Sequence, residues 1–322
     1  IFFKRQTPYE MKALERLLQR LPLSHLKIID IRTQLETISA GFNGETRVDQ
    51  TMQEIQFDIP FFYFPNFECE LSPTRFAQLD SVLLTNRYLL LIEIKNMRGE
   101  LHFNEQPYQL IQDIEGKKGA YHCPQMQLLR AADTVEHWLK CMELPKLPIY
   151  KIIVMPNSRT IIKTAPTKVP LIMSKQVALY IQKLNKLPAV INENQFLELS
   201  DAIITGSKPF KQKSLCEKYH IPKEHIKNGV ICLCGTSGIR ISERTWHCPT
   251  CKCAIPNAIE QTIQDWFWIC GEVVTIKEFM DFLQCNSRNL VARTLNNSNL
   301  IALGNTKSRR FLYNHRVPIF NK

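Results

Sequence analysis

Nowhere does this 322-residue chain run apolar for the ~18 positions that a membrane-spanning helix needs. Its opening, IFFKRQTPYE, holds no signal-type hydrophobic region. There is no internal repeat and no low-complexity tract, which excludes solenoids and disordered linkers as the main architecture. GTSG at 235–238 is too short and too poorly placed to be a phosphate-binding loop. His122-Cys123 lacks any local signature of a thiol nucleophile.

The composition is globular, 44% hydrophobic and 22% charged, and the length suits two or three domains of about 100–200 residues each. The formal charge of +11 is unevenly spread. Residues 1–200 carry 24 basic and 21 acidic side chains, whereas residues 201–322 carry 17 and 9. A basic C-terminal part suits a nucleic-acid partner. Of the eleven cysteines, five crowd into positions 232–253. Tight cysteine pairs in a chain without a secretion signal point to metal rather than disulfides, hence to a reducing, cytoplasmic setting.

Residues 7–21 read as an amphipathic helix, with Thr7 and Glu10 as a capping box and Pro8 in the first turn. GFNGETRVDQTMQEI (41–55) reads as a Gly-rich entry into a second helix. Strands follow at 61–71, at 76–84 and 88–95 about a turn at 85–87, and at 99–103. Residues 124–142 are helical in period, 149–156 and 169–173 are strands, and 174–187 closes as a helix. The order predicts an α/β unit with a mixed central sheet.

QLDSVLLTNRYLLLIEIKN (78–96) sets Asp80, Glu93 and Lys95 into a stretch that is otherwise mostly apolar. Strand side chains alternate, so Glu93 and Lys95 share the face of Leu89 and Leu91. An antiparallel turn about Asn86-Arg87 brings Asp80 near Glu93. Two carboxylates in a low-dielectric site need a counter-charge, which a lysine or a hard divalent cation supplies.

These residues resemble the nuclease-related domain (NERD) family of the PD-(D/E)XK nuclease superfamily. The likeness rests on Gly44-Glu45, QLD at 78–80, IEIKN at 92–96 followed by Gly99, and CPQMQ at 123–127, and covers about 38–185. Cys123 stands where the family pattern has Asn. The resemblance implies a restriction-endonuclease-like core. Asp80 and Glu93 would hold Mg²⁺ or Mn²⁺ with the Ile94 carbonyl, and Lys95 would be the catalytic lysine. Glu45 and Gln127 would complete the site, and a metal-bound water would attack a phosphodiester.

ICLCG (231–235) and CPTC (248–251) resemble a zinc ribbon, with Cys232, Cys234, Cys248 and Cys251 as ligands of a structural zinc. The first pair is Cys-x-Cys, so His247 and Cys253 stand as alternative donors. In 275–313, Thr275 and Glu278 form a capping box, Ser287 caps a second helix, and IAL and FLY flank a basic turn. This resembles a small, mostly helical winged helix-turn-helix module, with Arg288, Arg293, Lys307, Arg309 and Arg310 toward nucleic acid. The segments expected are a helical leader (1–37), the nuclease-like domain (38–187), a basic helical connector (188–229), the ribbon (230–255) and the C-terminal module (256–322).

The function expected is a metal-dependent nuclease, DNA favoured, in DNA processing or defence against foreign DNA. The alternatives are a zinc-containing DNA-binding regulator with a silent nuclease fold, or a scaffold. A homo-oligomer or a licensing protein partner stays open.

Overall fold

The computed structural model describes residues 1–72, 74–207, 213–305 and 309–313. The chain begins with α1 (Tyr9–Arg20) and the long α2 (Ile28–Gln53). It continues through β1 (Phe61–Ser72), β2 (Arg75–Thr85), β3 (Leu89–Ile94), β4 (Gly99–Glu105), β5 (Tyr108–Ile114), β6 (Lys117–His122) and α3 (Pro124–Cys141). Then come β7 (Ile149–Met155), β8 (Thr160–Thr164), β9 (Leu171–Met173), α4 (Val177–Leu184) and α5 (Glu193–Gly206). After α6 (Leu215–Tyr219) follow β10 (Ile239–Arg240), β11 (Trp246–Cys248), β12 (Cys253–Ile255), α7 (Ala258–Asp265), β13 (Val273–Thr275), α8 (Ile276–Leu283), α9 (Arg288–Asn296), β14 (Ile301–Leu303) and β15 (Arg310–Leu312).

Two compact units result. The first comprises Ile1–Gln6 and Ser39–Phe210, the second Thr7–Ile38 and Lys211–Lys322. Mixed α/β architecture is clearest in the first. Its central sheet has the order β1-β2-β3-β7-β9, antiparallel across β1-β2-β3 and parallel across β3-β7-β9. A second sheet, β6-β5-β4-β8, carries the β5–β6 hairpin. Every residue of β3 is buried, because helices cover both faces of the sheet. Leu89 and Leu91 face a core with Leu128, Val135 and Trp138 of α3 and Phe196 of α5. Leu90, Ile92 and Ile94 face one with Val48 and Met52 of α2 and Ile181 of α4.

In the second unit a single core joins α1 (Leu14, Leu17), the ribbon's Trp246, and Phe267, Phe279, Leu290 and Phe311 of the C-terminal module. Arg16 and Arg20 of α1, both buried, converge on the fully buried Asp265 at 2.6 and 2.7 Å.

Three local expectations change. Helix α1 starts after Pro8 with no side-chain cap, so Thr7 does not cap it; Glu10 pairs instead with Lys218. Helix α2 begins at Ile28, so Gly41 and Gly44 lie within it rather than at its entry. The sequence reading also leaves out β5, β6 and β8; most residues of β6 and β8 are exposed, and β5 buries only Leu110 and Gln112. By contrast, the Thr275–Glu278 capping box and the Ser287 cap are both formed.

Candidate active site

The β2–β3 hairpin holds a strict register, from Leu84 opposite Leu89 to Ser81 opposite Ile92. One further step sets Asp80 across from Glu93. Asp80 Oδ2 accepts the Ile94 amide at 2.6 Å, which locks its carboxylate onto the end of β3. Glu93 is 1% exposed. The Lys95 ammonium lies 2.6 Å from Glu93 Oε1 and donates to Gln127 Oε1 in the first turn of α3 at 3.3 Å. Glu93 Oε1 meets only the Lys95 ammonium, and Glu93 Oε2 has no hydrogen-bond partner among the described residues, although buried carboxylate oxygens ordinarily do.

Helix α2 reaches this hairpin by an unusually close approach. A Cβ on Gly44 would sit 2.4 Å from the Asn96 Cβ, and the Asn96 side-chain amide donates to the Ala40 carbonyl at 2.6 Å. Glycine is therefore needed at 44 for contact with the strand end, and that contact brings Glu45 alongside Asp80.

Behind the site lies a network that the sequence reading missed. Arg5 holds both oxygens of Asp49 at 2.7 and 3.0 Å and Glu45 Oε2 at 2.7 Å. It also donates to Asn66 at 2.6 Å, Ser81 at 2.7 Å and the Asp80 carbonyl at 2.9 Å. Tyr63 donates to Asp49 at 2.6 Å. Asp49 had one sequence signal, its i,i+4 spacing from Glu45 on one helix face. Arg5, in an extended segment before α1, had none.

Burial pushes the Glu93 carboxyl up to about 8, with repulsion from Asp80 adding to it and Lys95 opposing. Glu45 is pushed up to about 7, first by burial and then by Asp80, against the pull of Arg5. Asp80 is also raised by burial, against Lys95 and the Ile94 amide. Burial alone would lower the Lys95 ammonium, but Glu93 and Asp80 outweigh it and hold it above its usual range. Glu45, Asp49, Asp80 and Glu93 thus share two cations, Arg5 and Lys95. That excess of negative charge, with Glu93 Oε2 unpartnered among the described residues, fits a hard divalent ion.

Residues 40–156 match the family model described as nuclease-related domain, NERD. The chain carries a nuclease-related domain. No curated protein and no solved structure matches it. Within the NERD residues fall Glu45, Asp80, Glu93, Ile94, Lys95 and Gln127, whereas Arg5 lies outside them. These candidate site residues come from four segments: α2, the end of β2, the end of β3 and the start of α3. Cys123 precedes α3 without a capping hydrogen bond, where the family pattern has Asn.

In the second unit, Cys232, Cys234, Cys248 and Cys251 bring their sulfurs within 4.8 Å of one another. Among the described residues this is the one group of three or more such donors so closely spaced; Glu45, Asp80 and Glu93 do not form such a group. Sulfur separations of 3.9 Å (Cys232–Cys251) and 3.5 Å (Cys234–Cys248) bracket the ~3.8 Å edge of a tetrahedron with ~2.3 Å zinc–sulfur bonds. Gly235, at φ +85°, makes the tight turn after the first pair. His247 and Cys253 lie outside the group.

The C-terminal basic residues are dispersed. Arg288 and Arg293 on α9 are exposed, and Arg293 lies 4.0 Å from Glu243 of the ribbon. Arg310 is exposed on β15, while Arg309 lies over the Phe311 ring at 5.5 Å. Lys307 falls outside the described residues.

Proposed function

We propose that the first unit is a metal-dependent nuclease that hydrolyses phosphodiester bonds, with DNA the favoured substrate. The observation that carries this reading is Glu93: a buried carboxylate beside Asp80, one of whose oxygens meets Lys95 while the other has no partner among the described residues, within the stretch that matches the nuclease-related domain. Asp80 and Glu93 would hold Mg²⁺ or Mn²⁺, with the Ile94 carbonyl as a third donor. The ion supplies positive charge that polarises a phosphate and acidifies a water. Lys95, steadied by Gln127, offsets charge that grows on the phosphate. Glu45, fixed by Arg5, completes the acidic rim from α2.

In the second unit the four cysteines would bind a structural zinc, since four thiolates leave no open position. The order α7-β13-α8-α9-β14-β15, with the sheet order β13-β15-β14, supports a winged helix-turn-helix reading. The exposed arginines of α9 and Arg310 of β15 would then contact DNA. Among the described residues no helix is long and apolar enough to cross a membrane. A cytoplasmic role in DNA processing or defence against foreign DNA is part of the same proposal.

The test is cleavage of duplex DNA, single-stranded DNA and RNA by the full chain with Mg²⁺ or Mn²⁺. Wild type should cut at least one. Lys95→Ala and Glu93→Ala should abolish cutting while DNA binding persists. A wild type that cuts none of the three substrates refutes the enzyme and leaves a nucleic-acid-binding regulator.

A further inference from the structure

A cleft of about 620 Å³ opens between β2, β5, the end of β6 and the first turns of α3. Its walls include Gln78, Tyr108, His122, Met126, Gln127 and Arg130. Gln127 joins the cleft to the reaction centre, because it also accepts the Lys95 ammonium. Gln78 sits two residues before Asp80 on the same face of β2.

The residues that line this cleft include no acid, and Glu105 at the rim stands near Lys168. Glu68 and Glu105, cross-strand from Gln78 and Tyr108, are not among its walls. Arg130 is exposed and makes no ion pair among the described residues. Lys168 stands over the Tyr108 ring at 4.9 Å and adds a second exposed cation at the rim. The floor is apolar, with Ala77 and Ala131 buried and Met126 half-buried. Cations around an apolar and aromatic floor are what a single nucleic-acid strand needs: phosphates meet the cations and a base meets the floor. The volume lies within the ~300–1,000 Å³ of small-ligand sites and is suited to about one nucleotide, not to a base pair.

We propose that this cleft binds one unpaired nucleotide of the strand being cut, next to the scissile phosphate, with Arg130 and Lys168 on its phosphates. The proposal rests on the nuclease reading for its place in the reaction, but the binding can be measured without cleavage.

The probe is a single-stranded DNA oligonucleotide carrying 4-thiothymidine. It is photocrosslinked to the full chain in EDTA, and the adducts are located by mass spectrometry. Wild type should give adducts in peptides that contain residues 76–78, 108 or 122–131. R130Q/K168Q, checked for an unchanged thermal midpoint, should lose about tenfold of that adduct, and log affinity should depend on log salt with a slope smaller by about 1.4 for two lost contacts. With Mg²⁺ or Mn²⁺, KM should rise about tenfold while kcat stays within about twofold. R130Q alone serves if the double variant loses its fold.

Adducts confined to other peptides, or a double variant that crosslinks and cleaves like wild type, overturn the cleft. Adducts in the cleft of a wild type that never cuts overturn the nuclease reading and leave the cleft standing.

Discussion

Asp80 and Ile94 are joined by a 2.6 Å hydrogen bond from backbone amide to carboxylate, across the open end of the hairpin. That bond aims one oxygen of Asp80 at β3 and sets its carboxylate beside Glu93. Because Glu93 has no such backbone partner, the two acids differ: one is fixed by the backbone, the other meets only the Lys95 ammonium.

The first prediction concerns pH. Glu93 has a folded value of about 8 against an ordinary 4.5. It therefore binds a proton in the folded state where the unfolded chain has lost it. Between about pH 4.5 and 8 this group's contribution to stability should fall as pH rises, and Glu45, raised to about 7, should act in the same direction. In metal-free protein Glu93→Gln should flatten the fall. Mg²⁺ or Mn²⁺ must displace the proton, so either ion should raise the thermal midpoint more at pH 8 than at pH 5. Thermal melts in EDTA and in added metal, across pH, measure both.

Gly44→Ala sets two effects against each other. Alanine in a helix gains about 1 kcal/mol over glycine. Here its Cβ would meet the Asn96 Cβ at 2.4 Å, and overpacking of this kind costs about 1–3 kcal/mol. The clash should win, because the obstacle is the root of a side chain and not its flexible end. Urea unfolding should show a net loss of stability, and metal-dependent cutting should fall as Glu45 is pushed away from Asp80.

Arg5→Met should destabilise the chain by about 3–5 kcal/mol, the usual cost of stranding buried charge. Asp49, with its side chain 7% exposed, would lose its bidentate partner. Arg5→Lys keeps the charge but cannot supply the forked geometry, so it should recover part of the loss only. Chemical denaturation of the two variants separates charge from geometry.

Asp265→Asn makes the same test in the second unit. Arg16 and Arg20 would be left buried around a neutral amide. A loss of about 3–5 kcal/mol is expected, with the second unit's transition shifted to lower denaturant.

Zinc analysis should return one metal per chain. Cys234→Ser and Cys248→Ser should lose it and loosen the ribbon. Cys253→Ser and His247→Ala should retain it, since neither residue lies in the sulfur group. Atomic absorption and the visible spectrum of the cobalt-substituted protein give the readout.

Local pattern determined a good deal by itself. The alternation in 88–95 sets Glu93 and Lys95 on one face, and the turn at 85–87 fixes which residue of β2 stands opposite. The mixed sheet follows from the order of strands and helices. The cysteine spacing points to the four residues whose sulfurs converge but leaves His247 and Cys253 as alternatives, which the structure sets outside the group. The caps of α8 and α9 were legible because a cap and its amide lie within three residues of each other. What local pattern could not supply is anything that depends on which distant segments meet. Arg5 and Asp49 are 44 residues apart, and Arg16 and Asp265 are 249 apart. The need for glycine at 44 arises only because Asn96 packs against it. The basic cleft exists only because β2, β5 and α3 close around it. Periodicity encodes the face a side chain takes; the partner it finds there, and so its charge state and its use, is decided when the chain folds.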